Sequence, residues 1–503
     1  MSFSVVRSRA LVGLDALPVQ VEVHISSGLP GLAIVGMPET GVRESRERVR
    51  SALLNAGADY PSRRTTLNLA QADLPKEGGR FDLPIALAIL VASGQIDASS
   101  LEGVECVGEL ALDGSLRPVG AILPVALAVR ESGAALIVAA GDAGEAALVD
   151  GLNVYAATHL RDVIAHLRNE QRLERVGHIQ PVEHNNELPD LADVRGQYQA
   201  RRALEIAAAG GHNLLLAGPP GTGKTMLAER LPGLLPPLDW EQRLAVAVIR
   251  SRSGQPPLAD WGRRPFRLPH HGASPGALIG GGNPPVPGEI TLAHHGVLFL
   301  DELPEFDRRA LEGLREPLET GSVSISRVGR QAVFPAAFQL VAAMNPCPCG
   351  YLGDARRQCR CSVAQIQRYR SRISGPLLDR IDLQVEVNAV STEELAQQSC
   401  GESSQQVRER VARAREAQAQ RGALNARLPV PQLEAVCNLP EAERRWFAHA
   451  LDRLGYSARS YHRVLRVALS IADLEQSSTL TRHHLMEAVG YRQLDRMLRG
   501  EAR

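Results

Sequence analysis

The segment Gly218–Thr225 carries the residues with the most specific chemistry in this chain. It reads GPPGTGKT and stands between a strand-like run at Asn213–Ala217 and a helix-like run at Met226–Leu231. Glycines in such a turn let successive backbone N–H groups point at one anion, and the N-terminus of the following helix adds partial positive charge. Lys224 would reach the outer phosphates of a nucleotide, and the Thr225 hydroxyl would reach a Mg²⁺ ion. The segment therefore predicts a loop that binds ATP and Mg²⁺. Its residues are Gly218, Pro219, Pro220, Gly221, Thr222, Gly223, Lys224 and Thr225.

Lysine is scarce elsewhere in the chain, which favours a specific role for Lys224. Lysine and arginine together number 56, and Lys76 and Lys224 are the two lysines among them. A genome that prefers arginine codons explains the bias, but a phosphate loop needs the compact ammonium donor that arginine does not supply. Lys76 has no comparable context, and we expect it at the surface.

Two acids follow an apolar run further along the chain. Val297–Glu302 reads VLFLDE, which predicts a buried strand with two carboxylates at its end. Open α/β sheets bind ligands at the carboxyl ends of their strands, so both acids are expected beside the phosphate loop. Asp301 is predicted to hold Mg²⁺, and Glu302 to polarise the attacking water.

Two further motifs each leave two interpretations open. Leu340–Asn345 is a third apolar run, and Asn345 at its end either orients water beside the γ-phosphate or caps the chain before Pro346. Leu377–Asp382 reads LLDRID. Arg380 in that motif either makes a surface ion pair or is supplied across a subunit boundary to stabilise charge in the transition state.

Four cysteines form two Cys-x-Cys pairs in a short stretch that contains Gly and Pro. They are Cys347, Cys349, Cys359 and Cys361. Such a set of thiols predicts a Zn²⁺ site, and the alternative is a group of partly buried thiols or a redox pair. The other cysteines are isolated, and we expect them to pack in apolar surroundings. These are Cys106, Cys400 and Cys437.

Two segments around the acids have loop-like or hairpin-like patterns. Ser322–Phe334 alternates in the manner of a β-hairpin, with Arg327 and Arg330 at its turn. These arginines are either simply solvated or, in a ring of subunits, track the phosphate backbone of DNA. Before the acids, residues 272–282 are rich in Gly and predict a projecting loop.

The composition is that of a globular protein, and its length fits about three domains. The chain has 503 residues, zero formal net charge, 22% charged and 44% hydrophobic residues, and seven cysteines. Its apolar runs are too short for a membrane span, its N-terminus lacks a secretory pattern, and its cysteines do not suit a disulfide framework. These features predict a cytoplasmic protein with no membrane partner. Zero net charge also excludes a bulk basic surface for nucleic acid.

The elements that must position these residues fall into three parts. Residues 1–170 alternate short strands and helices, which predicts an α/β domain. Residues 171–188 are polar and aperiodic and predict a linker. Residues 189–390 hold the motifs above and predict an α/β core with insertions, whereas residues 391–503 have helical periodicity.

In this order, the phosphate loop, the Asp-Glu strand, the asparagine strand, the arginine and the helical region resemble the AAA+ ATPases. The resemblance makes Asn345 a sensor of the γ-phosphate, Arg380 the arginine finger of a neighbouring subunit, and the helical region a lid. Lys224 and Glu302 take the catalytic roles given above. Arg459 is the candidate for the nucleotide-sensing arginine of the lid. Arg463 and Arg466 lie nearby and are the alternatives.

More specific phrases resemble the magnesium-chelatase-like ComM (YifB) family along essentially the whole chain. They include GLPGLAIVGMPETG, GPPGTGKTML, PGEITLAHHGVLFLDELPEF, AAMNPCPCG and SGPLLDRIDL, and Asp190–Gln197 resembles the adenine-side segment of AAA+ proteins. The resemblance implies a bacterial homo-hexameric ATPase with helicase-type activity. It also implies branch migration of recombination intermediates in natural transformation, on single-stranded and branched DNA, with recombination proteins as possible partners.

Residues 1–170 also resemble the proteolytic domain of Lon-type proteases, a fold similar to domain 2 of ribosomal protein S5. Arg80 stands where those proteases carry the serine nucleophile, and Leu123 stands where they carry the catalytic lysine. Without a nucleophile or a base, amide hydrolysis has no activated attacker. The resemblance therefore predicts an inactive protease-like domain that serves as a scaffold or a DNA-binding platform.

Two other functions remain open from the sequence. A magnesium-chelatase-type motor would use ATP to help insert Mg²⁺ into a porphyrin, but the Lon-like domain and the cysteine pairs favour the DNA motor. A AAA+ protein remodeller is the third candidate, because GASPGA at residues 272–277 resembles the GAFTGA loop of certain transcription activators. The aromatic residue of that loop is absent here.

Overall fold

The computed structural model describes residues 2–35, 40–70, 74, 78–181, 188–282, 285–327, 330–354, 357–390, 401–454, 456, 458–492 and 494. Lys76 and Cys400 lie outside these residues. The side chains of Arg327, Arg330 and Arg459 also lie outside the description, although their backbones belong to two strands and a helix. What the sequence predicts for these five residues therefore stays a prediction.

The N-terminal part is a mixed β-sheet with helices packed on it. Its strands are β1 (Ser2–Val12), β2 (Asp15–Ser26), β3 (Gly31–Val35), β4 (Arg64–Leu69), β5 (Val104–Cys106), β6 (Glu109–Leu110), β7 (Leu116–Arg117), β8 (Ala135–Ala139), β9 (Val154–Ala157) and β10 (Arg175–Val176). Its helices are α1 (Thr40–Asn55), α2 (Asp82–Ala92), α3 (Ile122–Glu131), α4 (Ala140–Ala146) and α5 (Leu160–Leu167). The large sheet has the order β10-β9-β8-β5-β1-β2-β4-β3, and β6 pairs with β7 separately.

Apolar alternation explains which face of this sheet is buried. In β2, Val19, Val21, Val23 and Ile25 are buried, and the residues between them are more exposed. α2 is apolar on nearly every side and lies buried against β1 and β2. Buried residues of β1, β2, β4, α1, α2 and α5 therefore form one hydrophobic core.

The predicted linker at residues 171–188 is partly a strand of this sheet. Arg175 and Val176 form β10 and pair antiparallel with Tyr155 and Val154. A two-residue strand at a sheet edge has no apolar alternation to reveal it, which is why the polar composition predicted a linker there.

The central part is a parallel sheet surrounded by helices. Its strands are β11 (Leu214–Ala217), β12 (Phe266–Arg267), β13 (Gly280–Gly281), β14 (Val286–Pro287), β15 (Val297–Leu300), β16 (Ser322–Arg327), β17 (Arg330–Pro335), β18 (Gln339–Met344) and β19 (Leu383–Glu386). The helices are α6 (Tyr198–Gly210), α7 (Lys224–Ala228), α8 (Leu231–Leu234), α9 (Trp240–Arg252), α10 (Pro275–Ile279), α11 (Glu289–Leu292), α12 (Arg308–Glu312), α13 (Arg315–Thr320), α14 (Val363–Arg370) and α15 (Gly375–Leu378). The sheet order is β12-β15-β18-β11-β19, with every pairing parallel. The carboxyl ends of these strands therefore meet at one edge.

The glycine-rich insertion is packed rather than projecting, so the prediction of a loop at residues 272–282 was wrong for its second half. Leu278 on α10 is fully buried, and β13 pairs with β14. A Cβ added to Gly280 would lie 2.5 Å from Ile325 Cδ1 on β16. These glycines allow close approach to the β16–β17 hairpin, a role that composition alone does not distinguish from loop flexibility.

The C-terminal part is helical, as predicted. Its helices are α16 (Ser404–Gln420), α17 (Val430–Cys437), α18 (Glu441–Arg453), α19 (Ala458–Leu474) and α20 (Arg482–Gly490). α16 and α19 pack against α6 of the central part. The buried ring of His212 joins the two parts: Nδ1 lies 3.1 Å from Asp382 Oδ2, and Nε2 lies 2.8 Å from Ser470 Oγ on α19.

The N-terminal sheet packs on helix α9 of the central part. Ala247 and Val248 of α9, together with Trp261, join the hydrophobic core of α3 and β8. Arg252 Nε at the end of α9 donates to Gly13 O over 3.1 Å. The turn between β1 and β2 also packs against the β16–β17 hairpin. A Cβ added to Gly13 in this turn would lie 3.4 Å from Ala332 Cβ.

Among the described residues, the helices are all too short or too polar to cross a lipid bilayer.

Candidate nucleotide-binding site

The segment Gly218–Thr225, here called the P-loop, connects the buried strand β11 to helix α7. Gly221 and Gly223 have φ angles of +76° and +87°, which side-chain-bearing residues rarely adopt. A Cβ on Gly218 would lie 2.1 Å from the carbonyl oxygen of Val387, so this position admits only glycine. The sequence therefore folds here into the strand–loop–helix arrangement that the motif predicts.

Lys224 is largely buried at the start of α7. Its Nζ donates to the carbonyl oxygens of Gly218 and Pro219 over 2.7 and 2.9 Å, and to Asn345 Oδ1 over 3.2 Å. Burial lowers the pKa of Lys224, while the charges of Asp301 and Glu302 oppose that shift. The ammonium is thus held by the loop that it is predicted to serve, next to the end of β18.

Thr225 and Asp301 lie together, as the two motifs predict. Thr225 Oγ1 donates to Asp301 Oδ2 over 3.0 Å, because α7 begins beside the end of β15. Asp301 Oδ1 accepts the backbone N–H of Glu302 over 2.9 Å. A hydroxyl and a carboxylate side by side form the hard oxygen donor set that suits Mg²⁺.

Glu302 follows Asp301 with a left-handed backbone, φ +54° and ψ +46°. A non-glycine residue in this region is uncommon, and such conformations cluster at functional sites. The carboxylate is half exposed, and its Oε2 lies 3.1 Å from His271 Nδ1. The turn therefore directs the side chain away from the core towards solvent.

His271 is a site residue that sequence reasoning missed. It lies in the segment RLPHH at residues 267–271, which contains no recognisable sequence motif. The segment follows β12, whose Phe266 and Arg267 pair in parallel with Val297 and Leu298 of β15. The ends of two paired parallel strands are adjacent. Recognising β12 as a strand in the sequence would therefore have predicted that His271 lies near Glu302.

A cavity of about 600 Å³ opens beside the P-loop. Gly221–Gly223 line it from the P-loop. One side is lined by residues of the segment that resembles the adenine side of AAA+ proteins, namely Asp193, Val194, Arg195 and Gln197. Gln197 ties that side to the P-loop, because its Nε2 donates to Thr222 O over 3.3 Å and to Asn388 O over 2.6 Å. Tyr351 and Arg357 from the loop between the cysteine pairs also line the cavity, and no sequence motif indicated them.

Arg380 does not line this cavity of its own chain. Its Nη2 makes an ion pair with Glu319 of α13, and its Nη1 donates to Pro376 O over 2.6 Å. The ion pair fits the first sequence interpretation, and the position away from the P-loop leaves the second, a role in a neighbouring subunit, as a prediction.

The two alternative lid arginines have partners within the described core and lid. Arg463 Nη1 lies 3.5 Å from Asp382 Oδ1, and burial lowers its pKa. Arg466 Nη2 donates to Leu428 O over 2.9 Å. The assignment of a sensing role to Arg459 stays a prediction.

The four paired cysteines come together in space and are called the cysteine cluster from here on. Cys347 Sγ lies 3.4 Å from Cys349 Sγ and 3.6 Å from Cys359 Sγ, and Cys349 Sγ lies 3.6 Å from Cys359 Sγ. All four sulfur atoms, including that of Cys361, lie within 4.8 Å of one another. Backbone N–H groups of Tyr351 and Arg360 lower the pKa of the Cys349 thiol to about 6. By contrast, Cys106 and Cys437 are buried away from the cluster, as expected.

Comparison with known proteins adds the family. A family model described as magnesium chelatase, subunit ChlI, matches residues 190–395, and the model of the ChlI C-terminal domain matches residues 401–492. A third model, described as subunit ChlI of Mg-chelatase, matches residues 21–142. The chain is 51% identical over 502 residues to the uncharacterised protein YifB of Escherichia coli (strain K12), which covers 99% of this chain and 98% of that protein. It is 49% identical over 505 residues to the competence protein ComM of Haemophilus influenzae, covering 99% of both chains. The chain belongs to the magnesium-chelatase-like ComM/YifB family.

Membership of the ComM/YifB family makes this chain a AAA+-type protein and supports ATPase activity. A likeness to the magnesium-chelatase 67 kDa subunit of Heliobacterium mobile is weaker and shorter, at 29% identity over 193 residues, which is 32% of this chain and 28% of that protein. The fold class predicted from sequence is confirmed in its main features: an α/β chain with a parallel central sheet and a helical C-terminal part.

Two positions of the N-terminal domain of this ComM/YifB-family chain bear on the rejected protease function. Arg80 and Leu123, which stand at the expected nucleophile and base positions, are both buried. Arg80 Nη2 donates to Gly120 O over 3.3 Å. Neither side chain can act as a nucleophile or a general base, because a guanidinium stays protonated and leucine has no polar atom.

Proposed function

We propose that this protein is an ATP-driven DNA motor: a homo-hexamer that migrates branches in recombination intermediates on single-stranded and branched DNA. The observation that carries the nucleotide part is the meeting of Lys224, Thr225, Asp301 and Asn345 at the carboxyl edge of one parallel sheet. Family membership supports the ATPase, and the similarity to a competence protein supports a role in handling DNA.

In this function, Lys224 binds the outer phosphates of ATP and the P-loop amides surround them. Glu302 accepts a proton from the attacking water, and its outward-turned carboxylate is free of the core for that purpose. Asn345, already within hydrogen-bond distance of Lys224, orients the water or the γ-phosphate. His271 holds the Glu302 carboxylate at 3.1 Å until it acts.

Thr225 Oγ1 and Asp301 are the residues that would hold Mg²⁺, and their adjacent oxygens suit that ion. Bound there, the ion would neutralise charge on the phosphates.

A ring of subunits explains why Arg380 lies away from its own P-loop. In a hexamer, the same arginine faces the nucleotide of the neighbouring chain and stabilises transition-state charge there. Arg380, the proposed arginine finger, pairs with Glu319 on α13. This helix leads directly into β16 of the hairpin, so the finger and the hairpin are connected. Arg327 and Arg330 at the end of that hairpin are the proposed DNA contacts, and Arg459 the proposed lid sensor.

A chelatase-type motor is the second candidate, because the matching family models are all described by a magnesium-chelatase subunit. It would use the same ATPase machinery on a porphyrin-binding partner. The near full-length identity to ComM, against the short match to a chelatase subunit, favours the DNA motor.

A branch-migration assay tests the proposal. A fluorescent four-way junction with homologous arms is mixed with the protein, Mg²⁺ and ATP, and arm exchange is followed by loss of energy transfer. We expect exchange with ATP, and none with the Glu302→Gln variant. ATP hydrolysis without any exchange of the junction would contradict the DNA-motor function and favour the second candidate.

A further inference from the structure

Three described residues between the two cysteine pairs, Tyr351, Asp354 and Arg357, form one wall of the cavity beside the P-loop. Tyr351 and Arg357 line the same cavity as the P-loop residues Gly221–Gly223. The Arg357 guanidinium lies 5.1 Å from the centroid of the Tyr351 ring, and its Nη1 donates to the Tyr351 hydroxyl over 2.7 Å. The Arg357 N–H also donates to Asp354 Oδ1 over 2.8 Å. The wall thus presents an aromatic ring and a cation that are fixed to each other.

This wall rests directly on the P-loop. Gly350, which follows the first cysteine pair, has a φ of +84°, and a Cβ there would lie 2.7 Å from Pro220 Cδ. Only glycine combines that backbone conformation with so close an approach. The chain that follows the first cysteine pair therefore packs directly against the P-loop at Pro220.

The sulfur positions of the cysteine cluster match a tetrahedral metal site. Four sulfurs around one Zn²⁺ at about 2.3 Å would lie about 3.8 Å apart, whereas a disulfide would bring two of them to about 2.0 Å. Three of the Sγ–Sγ separations are 3.4 to 3.6 Å, which is close to the first arrangement. The donor set is four thiols with Cys347 buried and the others half-buried, which is the composition of a structural zinc site.

We propose that the cysteine cluster holds a Zn²⁺ ion, and that this ion keeps Tyr351 and Arg357 in place as nucleotide-contacting residues. The Tyr351 ring offers a face for the base, and Arg357 offers a charge-assisted donor to the phosphates. The inference rests on the proposed ATP binding and adds to it a metal-dependent affinity. Without the ion, the coordinate bonds that link the two cysteine pairs are lost, and Tyr351 and Arg357 are no longer held against the P-loop.

The first experiment measures metal content and nucleotide affinity on the same full-length protein. Zinc is quantified by plasma mass spectrometry before and after treatment with a strong chelator under reducing conditions. The affinity for a fluorescent ATP analogue is then measured by anisotropy on zinc-loaded, stripped and zinc-restored protein. We expect one zinc per chain, an affinity about tenfold weaker after stripping, and recovery on restoring zinc.

The second experiment separates the nucleotide contact from folding. Arg357→Ala keeps all four thiols, so the variant should retain its zinc while binding the analogue about tenfold more weakly, as for loss of one bond to a charged group. Arg360→Ala is the matched control, because Arg360 lies in the same loop, is exposed and does not line the cavity. It should bind zinc and nucleotide as the unaltered protein does. Cys437→Ser controls for the loss of a thiol outside the cluster and should keep the zinc.

The results distinguish failure of this inference from failure of the proposed function. Protein that takes up no zinc, or that binds the analogue equally well with and without it, overturns the metal-dependent wall. Equal affinities of Arg357→Ala and Arg360→Ala overturn the nucleotide contact. If zinc-loaded protein and its Lys224→Met variant bind the analogue equally poorly, the proposed ATP binding itself is wrong.

Discussion

Replacement of Glu302 by glutamine tests the assignment of the general base most sharply. The change removes a charge but keeps the size of the side chain and its ability to hydrogen-bond to His271, 3.1 Å away. The left-handed backbone at φ +54° costs a non-glycine residue about 1–2 kcal/mol, and this cost is the same for glutamine. The variant should therefore fold with unchanged stability, so that any loss of rate reports on chemistry.

The expected loss of rate in Glu302→Gln follows from the role of Glu302 as general base. Loss of a positioned general base slows a reaction by about 10²–10⁴-fold, which corresponds to roughly 3–5 kcal/mol of barrier. Nucleotide affinity should stay within about twofold, because the P-loop and Lys224 are intact. The assay is steady-state release of phosphate, together with anisotropy of a fluorescent ATP analogue.

The matched control is Glu305→Gln, three residues along the same turn. Glu305 is exposed and makes a 2.6 Å ion pair with Arg372, a surface contact worth less than about 1 kcal/mol. The Glu305→Gln variant should hydrolyse ATP at nearly the rate of the unaltered protein. If Glu302→Gln keeps most of its rate, or if both variants lose it equally, the reasoning about Glu302 is refuted.

Three further predictions concern the P-loop, the finger and the buried contact between core and lid. Lys224→Met should abolish binding of the fluorescent ATP analogue without lowering the melting temperature, because the folded chain no longer buries an ammonium. Arg380→Ala and Lys224→Met, each inactive alone, should regain ATPase activity when mixed, since a Lys224→Met subunit can supply its arginine to a neighbour; no regained activity would remove the role in trans. Burial alone would raise the pKa of Asp382, but the hydrogen bond from His212 and the charge of Arg463 outweigh it and hold the pKa below its usual value. Stability from Asp382 is therefore present above about pH 4 and is lost as the pH falls through the lowered pKa, so urea midpoints between pH 6 and 3 should fall less steeply in Asp382→Asn.

Local pattern was enough to predict the elements that carry the P-loop and the acids. The apolar runs before Gly218, Asp301 and Asn345 are strands of one parallel sheet, and their ends meet because parallel strands share a direction. The hairpin at Ser322–Phe334 was equally predictable, because its alternation is regular. In each case the decisive information lies within a few neighbouring residues.

The features that were missed depend on contacts between distant parts of the chain. His271 reaches Glu302 only because the two-residue strand β12 pairs with β15. Tyr351 and Arg357 reach the nucleotide cavity only because the loop between the cysteine pairs lies on Pro220. Glycine composition predicted a projecting loop at residues 272–282, whereas Gly280 packs closely against Ile325 of the hairpin. Neither periodicity nor composition encodes such approaches.

The docking of the N-terminal sheet on α9 was also not predictable from sequence. Val248 and Trp261 belong to the core of another domain, and their apolar character alone does not say which surface covers them. As a result of this docking, the turn at Gly13 contacts both Arg252 of α9 and the hairpin strand that carries Ala332.

The measurement that tests the central claim most directly is the steady-state ATPase rate of the full chain with different effectors. The rate is compared with no effector and with single-stranded DNA, duplex DNA, a four-way junction and protoporphyrin. We expect strong stimulation by single-stranded or branched DNA and none by protoporphyrin, with the stimulation absent from Glu302→Gln. An active ATPase that is indifferent to every DNA, or one stimulated by protoporphyrin alone, would contradict the DNA-motor function.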